Sequence, residues 1–194
     1  MGVVNATPDS FSDGGAFACA EEAVAHGLRL VEQGADILDV GGESTRPGAD
    51  DVPVAEELRR VLPVIEGLAA ATDIPISIDT RKPEVARAAI AAGASIWNDV
   101  SALTFAPESL ETAAALGCDI ILMHARGEPK TMQVDPRYDD VVEEVYAYLA
   151  RRIEAAVQAG IAKTRLIVDP GIGFGKALSH NLALIAGLER FKAL

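Results

Sequence analysis

The chain has 194 residues, 49% hydrophobic and 24% charged, the proportions of a folded globular protein large enough to bury its own core. Seventeen Lys and Arg against 29 Asp and Glu leave a formal net charge of −12. No basic cluster relieves that charge, which argues against nucleic acid or an anionic membrane surface as the main partner. The two cysteines, Cys19 and Cys118, are too few and too far apart for a disulfide framework or a zinc ligand set. The longest apolar runs, five or six residues around Ile120 to Met123, fall far short of a membrane span. Met1 opens directly onto Gly-Val-Val-Asn with no charged leader. A soluble, cytoplasmic, acidic domain is the expectation.

Short β-branched runs predict strands at Val3–Asn5, Ile37–Val40, Ile74–Asp79, Ser95–Val100, Asp119–His124 and Leu166–Asp169. Helix-period segments lie between them. Leu58, Val61, Leu62, Ile65 and Leu68 keep one face, as do Val141, Val145, Leu149, Ile153 and Val157. A last helix is expected over Asn181–Phe191. Gly34, Gly93 and Gly117 each stand where a helix gives way to the next strand, the place of a C′ glycine. Repetition of strand, loop, helix and Gly turn implies a parallel sheet covered by helices. A (β/α)₈ barrel takes about 250 residues, or roughly 31 per unit. Six units in 194 residues match that spacing. The expectation is an α/β fold, a TIM (β/α)₈ barrel with about six of its eight units present, rather than an open doubly wound sheet.

The strand ends carry the chemistry. Asn5, Asp39, Asp79, Asn98, Asp99, His124 and Asp169 each stand at or near the end of an otherwise apolar strand. In parallel α/β folds that end is where ligands bind. Strand side chains alternate faces, so Ser77 and Asp79 point away from Ile76 and Ile78, and Asn98 away from Trp97 and Asp99. Several inward carboxylates are costly unless something pairs with them. Asp39 and Asp99 remain open between a site role and bonds to neighbouring loop amides. Two carboxylates and an amide suit a flat heterocycle with a guanidine-like edge, a pterin or a purine. Met123, Val100 and Phe174 are apolar neighbours able to sandwich its faces.

Two loops rich in small and polar residues follow the first two strands, from Asn5 to Gly15 and from Gly41 to Gly48. The planar fork of Arg46, between Thr45 and Pro47, suits a carboxylate or a phosphate. The run Asp169-Pro-Gly-Ile-Gly-Phe-Gly-Lys176 fails both phosphate-loop patterns and reads as a tight, backbone-lined turn. His26, His124 and His180 lack metal-ligand spacing. Mg²⁺ asks for little protein oxygen, so an amide such as that of Asn5 suffices for it.

Taken in order, Asn5 to Gly15, Asp39 to Gly48, Ile78-Asp-Thr80, Asn98-Asp-Val100, Leu122-Met-His124 with Pro129 to Gln133, and Asp169 to Lys176 resemble dihydropteroate synthase over the whole chain. That resemblance implies a TIM barrel which joins 7,8-dihydropterin-CH₂-pyrophosphate to p-aminobenzoate with release of pyrophosphate. It implies Asp79, Asn98 and Asp169 on the pterin edge, with Met123, Gly173 and Phe174 lining its slot. Thr7, Pro8, Asp9, Ser10 and Phe11 of the first loop and Thr45, Arg46 and Pro47 of the second would close over p-aminobenzoate and pyrophosphate. Asn5 would attend Mg²⁺, the one cofactor expected. It further implies small-molecule partners, a homodimer at full length and a sulfonamide target. Ala6 stands where the family has a larger β-branched residue. The family's later Ser-Arg-Lys and Arg-x-His strands have no counterpart before Leu194, and Met1 coincides with a position inside the family's first strand. Residues 1–194 are therefore expected to be a single pterin-binding domain, incomplete at the C-terminus and slightly clipped at the N-terminus, with little synthase activity alone. Two other readings are a methyltetrahydrofolate-handling methyltransferase barrel, which lacks both long loops, and a pterin-binding module without turnover.

Overall fold

The computed structural model describes residues 1–6, 15–43, 51–127 and 132–194, and only the backbone of 15–19. Strands and helices alternate: β1 (Gly2–Asn5), α1 (Gly15–Glu32), β2 (Leu38–Gly41), α2 (Val54–Ala71), β3 (Ile76–Asp79), α3 (Pro83–Ala91), β4 (Ile96–Asp99), α4 (Ser109–Leu116), β5 (Asp119–Met123), α5 (Val141–Gln158), β6 (Leu166–Asp169), α6 (Leu178–Ala186) and α7 (Leu188–Phe191). The sheet order is β1-β2-β3-β4-β5-β6. That sequential order belongs to consecutive units of a (β/α)₈ barrel and rules out the doubly wound alternative. Among the described residues one compact unit takes in 1–43 and 51–98, and the other 99–194.

In the first unit β1 to β4 pair in parallel. Val4, Val40, Ile78 and Trp97 form one register row, and all four are fully buried. Large apolar residues on that row give α1, α2 and α3 their core. The next row along the strands is Asn5, Gly41, Asp79 and Asn98. Period-2 alternation thus sends apolar residues to the helices and polar ones to the opposite face. Gly34 and Gly93 take positive φ where α1 and α3 turn into the following strands, as expected of C′ glycines.

The buried face of α2 differs from the expected stripe. It runs Glu57, Val61, Val64, Ile65 and Leu68, with Leu58 and Leu62 only part-buried. Hydrophobic periodicity gave the first position of that face to Leu58. A carboxylate holds it instead, because a lysine reaches it there.

In the second unit β5 and β6 pair in parallel, with Met123 opposite Asp169. Asp140 caps α5 by accepting from the Val142 and Glu143 N–H groups, each at 3.1 Å. The α5 core face is Val141, Val145, Leu149, Ile153 and Ala156, and Val157 is exposed rather than buried. The single helix expected at Asn181–Phe191 is two helices, starting three residues earlier and broken at Gly187. A Cβ at Gly187 would lie 3.1 Å from a Val142 methyl, so glycine permits close passage over α5 there.

Candidate active site

Asp79 and Asn98 stand side by side at the carboxyl ends of β3 and β4, and Asn5 ends β1 two strands away in the same row. One step back along the strands lie Asp39, 6% exposed, and the fully buried Ser77. Asn98 Nδ2 donates to Asp39 Oδ2 at 3.1 Å. A carboxylate only accepts, so this bond fixes which way the Asn98 amide faces. Asp39, left open from the sequence, orients a site residue.

Beside this row is a charged cluster absent from the sequence reading. Lys82 Nζ lies 2.5 Å from Glu57 Oε2 and 2.9 Å from Glu43 Oε2, and all three side chains are at most 8% exposed. Glu43 Oε1 accepts from the Val52 N–H at 2.9 Å and from Arg81 at 3.4 Å. Arg81 also reaches Asp51 at 2.6 Å, and Arg60 donates to the Gly42 carbonyl at 2.9 Å. Burial pushes the Glu43 carboxyl up, but Lys82, the Val52 N–H and Arg81 together hold it below the ordinary carboxylate value. Removing a lysine and two carboxylates from water is expensive. The cluster is retained in a place that ties Glu43, next to the second loop, to the turn just after Asp79.

In the second unit Asp99 serves its own turn. Its carboxylate accepts from the Ser101 N–H and hydroxyl, both at 2.7 Å, and from the Leu103 N–H at 2.9 Å. These bonds hold Ala102 and Leu103 at positive φ, a conformation that needs support in non-glycine residues. Burial pushes the Asp99 carboxyl up despite its donors.

Asp169 Oδ1 accepts from the Gly171 N–H at 2.7 Å, starting the turn foreseen between Asp169 and Lys176. Gly171, Gly173 and Gly175 all have positive φ. A Cβ at Gly171 would sit 1.9 Å from the His124 carbonyl oxygen, and one at Gly175 would sit 2.2 Å from that of Arg126. The turn therefore lies backbone to backbone on the segment leaving β5. Gly173 is different, with nothing within 4 Å of its Cβ position. Its N–H donates to Asn181 Oδ1 at 2.9 Å, and its carbonyl accepts from Gln133. Met123 is buried under the same turn's start, beside Asp169 in register, and Phe174 is part-exposed.

Lys176 closes the turn from beneath at 3% exposure. Its ammonium lies 2.8 Å from the Gly171 carbonyl oxygen, 2.9 Å from that of Phe174, 3.1 Å from that of His124, and 3.0 Å from His124 Nδ1. Burial pulls this ammonium down to about 8, with the Asp169 charge opposing the shift. Burial, then the Lys176 charge, pulls the His124 imidazole down to about 4. The ring meets Tyr148 edge-on, centroids 4.9 Å apart.

The structure thus brings Asn5, Asp79 and Asn98 together in the first unit, and Met123, Asp169, Gly173 and Phe174 together in the second. Thr7, Pro8, Asp9, Ser10 and Phe11, and Thr45, Arg46 and Pro47, lie outside the described residues. Asn5 is exposed at the end of its strand, and no group of three or more His, Cys, Asp or Glu able to cage a metal occurs among the described residues. One exposed amide oxygen fits a hard ion that keeps most of its waters, as Mg²⁺ does. No helix among the described residues is long and apolar enough to cross a membrane. Sequence reasoning missed Glu57, Lys82 and Lys176. Of these only Lys176 carried a signal, its place at the end of the glycine run.

Comparison with known proteins gives a consistent result. The profile of the family described as "Pterin binding enzyme" matches residues 1–194. The chain is 53% identical over 191 residues to the dihydropteroate synthase of Escherichia coli, covering 98% of this chain and 67% of that protein. A Xanthomonas albilineans dihydropteroate synthase structure with 4-aminobenzoic acid superposes with a TM-score of 0.92 at 58% identity, covering 100% of this chain and 68% of that one. The same organism's enzyme in complex with 7,8-dihydropteroate gives 0.87 at 54%, with the same coverage.

Proposed function

Because the chain belongs to the dihydropteroate synthase family, we propose that Asp79, Asn98 and Asp169 hold the guanidine-like edge of a reduced pterin, with Met123, Gly173 and Phe174 along its faces. The enzyme is a transferase of folate biosynthesis. Its substrates on this reading are 7,8-dihydropterin-CH₂-pyrophosphate and p-aminobenzoate. The observation that carries the assignment is the Asp79–Asn98 pair, adjacent in register at the strand ends, with the Asn98 amide oriented by Asp39. A carboxylate beside a fixed amide meets the N–H-rich edge of a pterin with complementary acceptors and donors.

The chemistry needs no protein nucleophile. The arylamine nitrogen attacks the pterin methylene, the C–N bond forms as the C–O bond to pyrophosphate breaks, and the amine gives up a proton. The protein's share is positioning, which holds nitrogen and carbon in line, and exclusion of water. Asn5 would hold Mg²⁺, which when bound supplies charge to stabilise the departing pyrophosphate. Thr7 to Phe11 and Thr45 to Pro47 would supply the p-aminobenzoate side, where a sulfonamide would compete. The homodimer rests on the resemblance, with the exposed apolar stripe Leu178, Leu182 and Ile185 of α6 as a surface that association would cover. Sedimentation tests it.

Calorimetry with 6-hydroxymethyl-7,8-dihydropterin tests the pterin edge. Asp79→Ala and Asp169→Ala should each lose about 1.5–3 kcal/mol, the range for a hydrogen bond to a charged group, and Asn98→Ala less. Three mutants within twofold of wild type would refute the assignment.

A further inference from the structure

The Gly171–Gly175 turn presents backbone to the proposed pterin slot, so its shape must be set from below. Three of its glycines have positive φ, a conformation that glycine reaches freely and therefore does not itself enforce. Three ties come from the side, Asn181 to the Gly173 N–H, Gln133 to the Gly173 carbonyl and Tyr138 to the Gly175 carbonyl at 3.0 Å. Among the described residues only Lys176 collects several of this turn's carbonyls at once. Three of the acceptors around its ammonium are main-chain oxygens, two from the turn and one from the residue after β5.

We propose that Lys176 is a positioning residue of the pterin slot: its buried ammonium clamps the turn to the end of β5 through the Gly171, Phe174 and His124 carbonyls and fixes the His124 ring as an Nδ1 acceptor. This rests on the pterin assignment of the previous subsection.

An ammonium has three protons and no lone pair. Four acceptors therefore share its three protons, and at 3.0 Å from a group with no lone pair His124 Nδ1 is the unprotonated nitrogen, which leaves the ring hydrogen on Nε2. Protonating Nδ1 would set two cations face to face in a buried place, in keeping with the low imidazole value. No ion-pair oxygen lies within 4 Å of the Lys176 ammonium among the described residues, so its charge is solvated by carbonyl dipoles in place of water. Such an arrangement is costly unless the carbonyls are preorganised, and they are the carbonyls that shape the slot. The clamp thereby links Asp169, at the start of the turn, to Phe174, which lies along the proposed ligand face.

The test compares wild type, Lys176→Met, Lys176→Gln and a control, Leu149→Ala. Leu149 is fully buried on α5 and makes none of these contacts. Pterin binding is measured by calorimetry with 6-hydroxymethyl-7,8-dihydropterin, the His124 tautomer by ¹⁵N imidazole shifts, and the turn by hydrogen exchange at the Gly171 to Phe174 amides. Lys176→Met should bind the pterin at least tenfold more weakly, let His124 take up a proton near pH 6, and lose protection in the turn. Leu149→Ala should lose melting temperature while keeping all three properties. Lys176→Gln, with two donors, should fall between, and it carries the same measurements if the methionine variant does not fold. Unchanged pterin affinity, turn protection or His124 titration on losing Lys176 would overturn the proposal, as would an equal loss of affinity in Leu149→Ala. A wild-type chain that ignores the pterin while Lys176→Met still frees the turn and ring would refute the pterin reading and sustain the clamp.

Discussion

Lys82 and Lys176 are both buried, one in each unit, and they are neutralised in opposite ways. Lys82 meets two carboxylates, Glu43 and Glu57, at ion-pair distance. Lys176 meets three backbone carbonyls and a neutral imidazole. In the first unit charge answers charge, and the partners come from separate elements, so the cluster ties the end of β2 to α2 and to the start of α3. In the second unit dipoles answer charge, and the partners come from one turn and the residue it touches. A paired charge is a strong tie between elements and tolerates nothing missing. A dipole-solvated charge shapes the backbone locally and can be removed at smaller cost. Each lysine follows an aspartate assigned to the pterin edge, Lys82 three residues after Asp79 and Lys176 seven after Asp169.

The contrast is sharpest when each lysine is cut to its apolar stem. Lys82→Met strands the fully buried Glu57 carboxylate, while Glu43 keeps Arg81 and the Val52 N–H, and it should cost about 3–5 kcal/mol, the penalty for leaving a buried charge unpaired. Replacing Glu57 by Leu alongside Lys82→Met should recover part of that loss, since the fully buried charge goes with its partner. Urea unfolding of the single and double variants measures both. A Lys82→Met loss under about 1 kcal/mol would mean that these carboxylates reach water on their own.

Acid separates the units next. His124 titrates near 6.5 when unfolded and about 4 when folded. Between those values the unfolded chain binds more protons, so stability present above pH 6.5 drains away as pH falls toward 4. The loss is up to about 3 kcal/mol for a shift of this size. Glu43, held below the ordinary carboxylate value of 4.5, acts in the same direction but only below that pH. Lys176, Arg126, Tyr138 and Tyr148 are the groups facing the imidazole. Urea unfolding at pH 7 and pH 4.5 should show a stability drop that shrinks by more than half in His124→Asn. An equal drop in the variant would assign the acid sensitivity to carboxylates.

The two lysines also show what the sequence made legible. Strand order followed from βα spacing, and Asp79, Asn98 and Asp169 were visible because polar residues closing apolar strands break a simple alternation. Lys82 and Glu57 were invisible because they sit 25 residues apart, and the hydrophobic stripe offered Leu58 for the position Glu57 fills. Lys176 was in plain view at the end of a glycine run. Its partners, however, are backbone carbonyls, which carry no residue identity. The Asp39 role stayed open for a similar reason, since its partner Asn98 is 59 residues away.

Removing Lys176 should cost less than removing Lys82. The Lys176→Met variant leaves neutral carbonyls without donors, a penalty of about 1–3 kcal/mol. Water reaching the turn would lower it further, because Phe174 and Gly173 are part-exposed. A stability loss equal to that of Lys82→Met would erase the distinction between charge-paired and dipole-solvated burial.

The smallest effect on folding tests the turn itself. Gly173 has φ of +88° and open space where a Cβ would go. Gly173→Ala therefore pays only for the left-handed backbone, about 1–2 kcal/mol. Gly171→Ala, in the same turn at φ of +68°, would drive its Cβ to 1.9 Å from the His124 oxygen and must displace backbone. Folding stability should separate the two variants clearly. Pterin affinity should not, because the space above Gly173 is where the proposed ligand face lies, and a methyl group there meets the ligand in place of protein. Gly173→Ala is expected to melt only a few degrees below wild type and yet bind 6-hydroxymethyl-7,8-dihydropterin at least tenfold more weakly. Normal binding by a well-folded Gly173→Ala would move the pterin off this turn, and Lys176 would then be shaping a surface that no ligand touches.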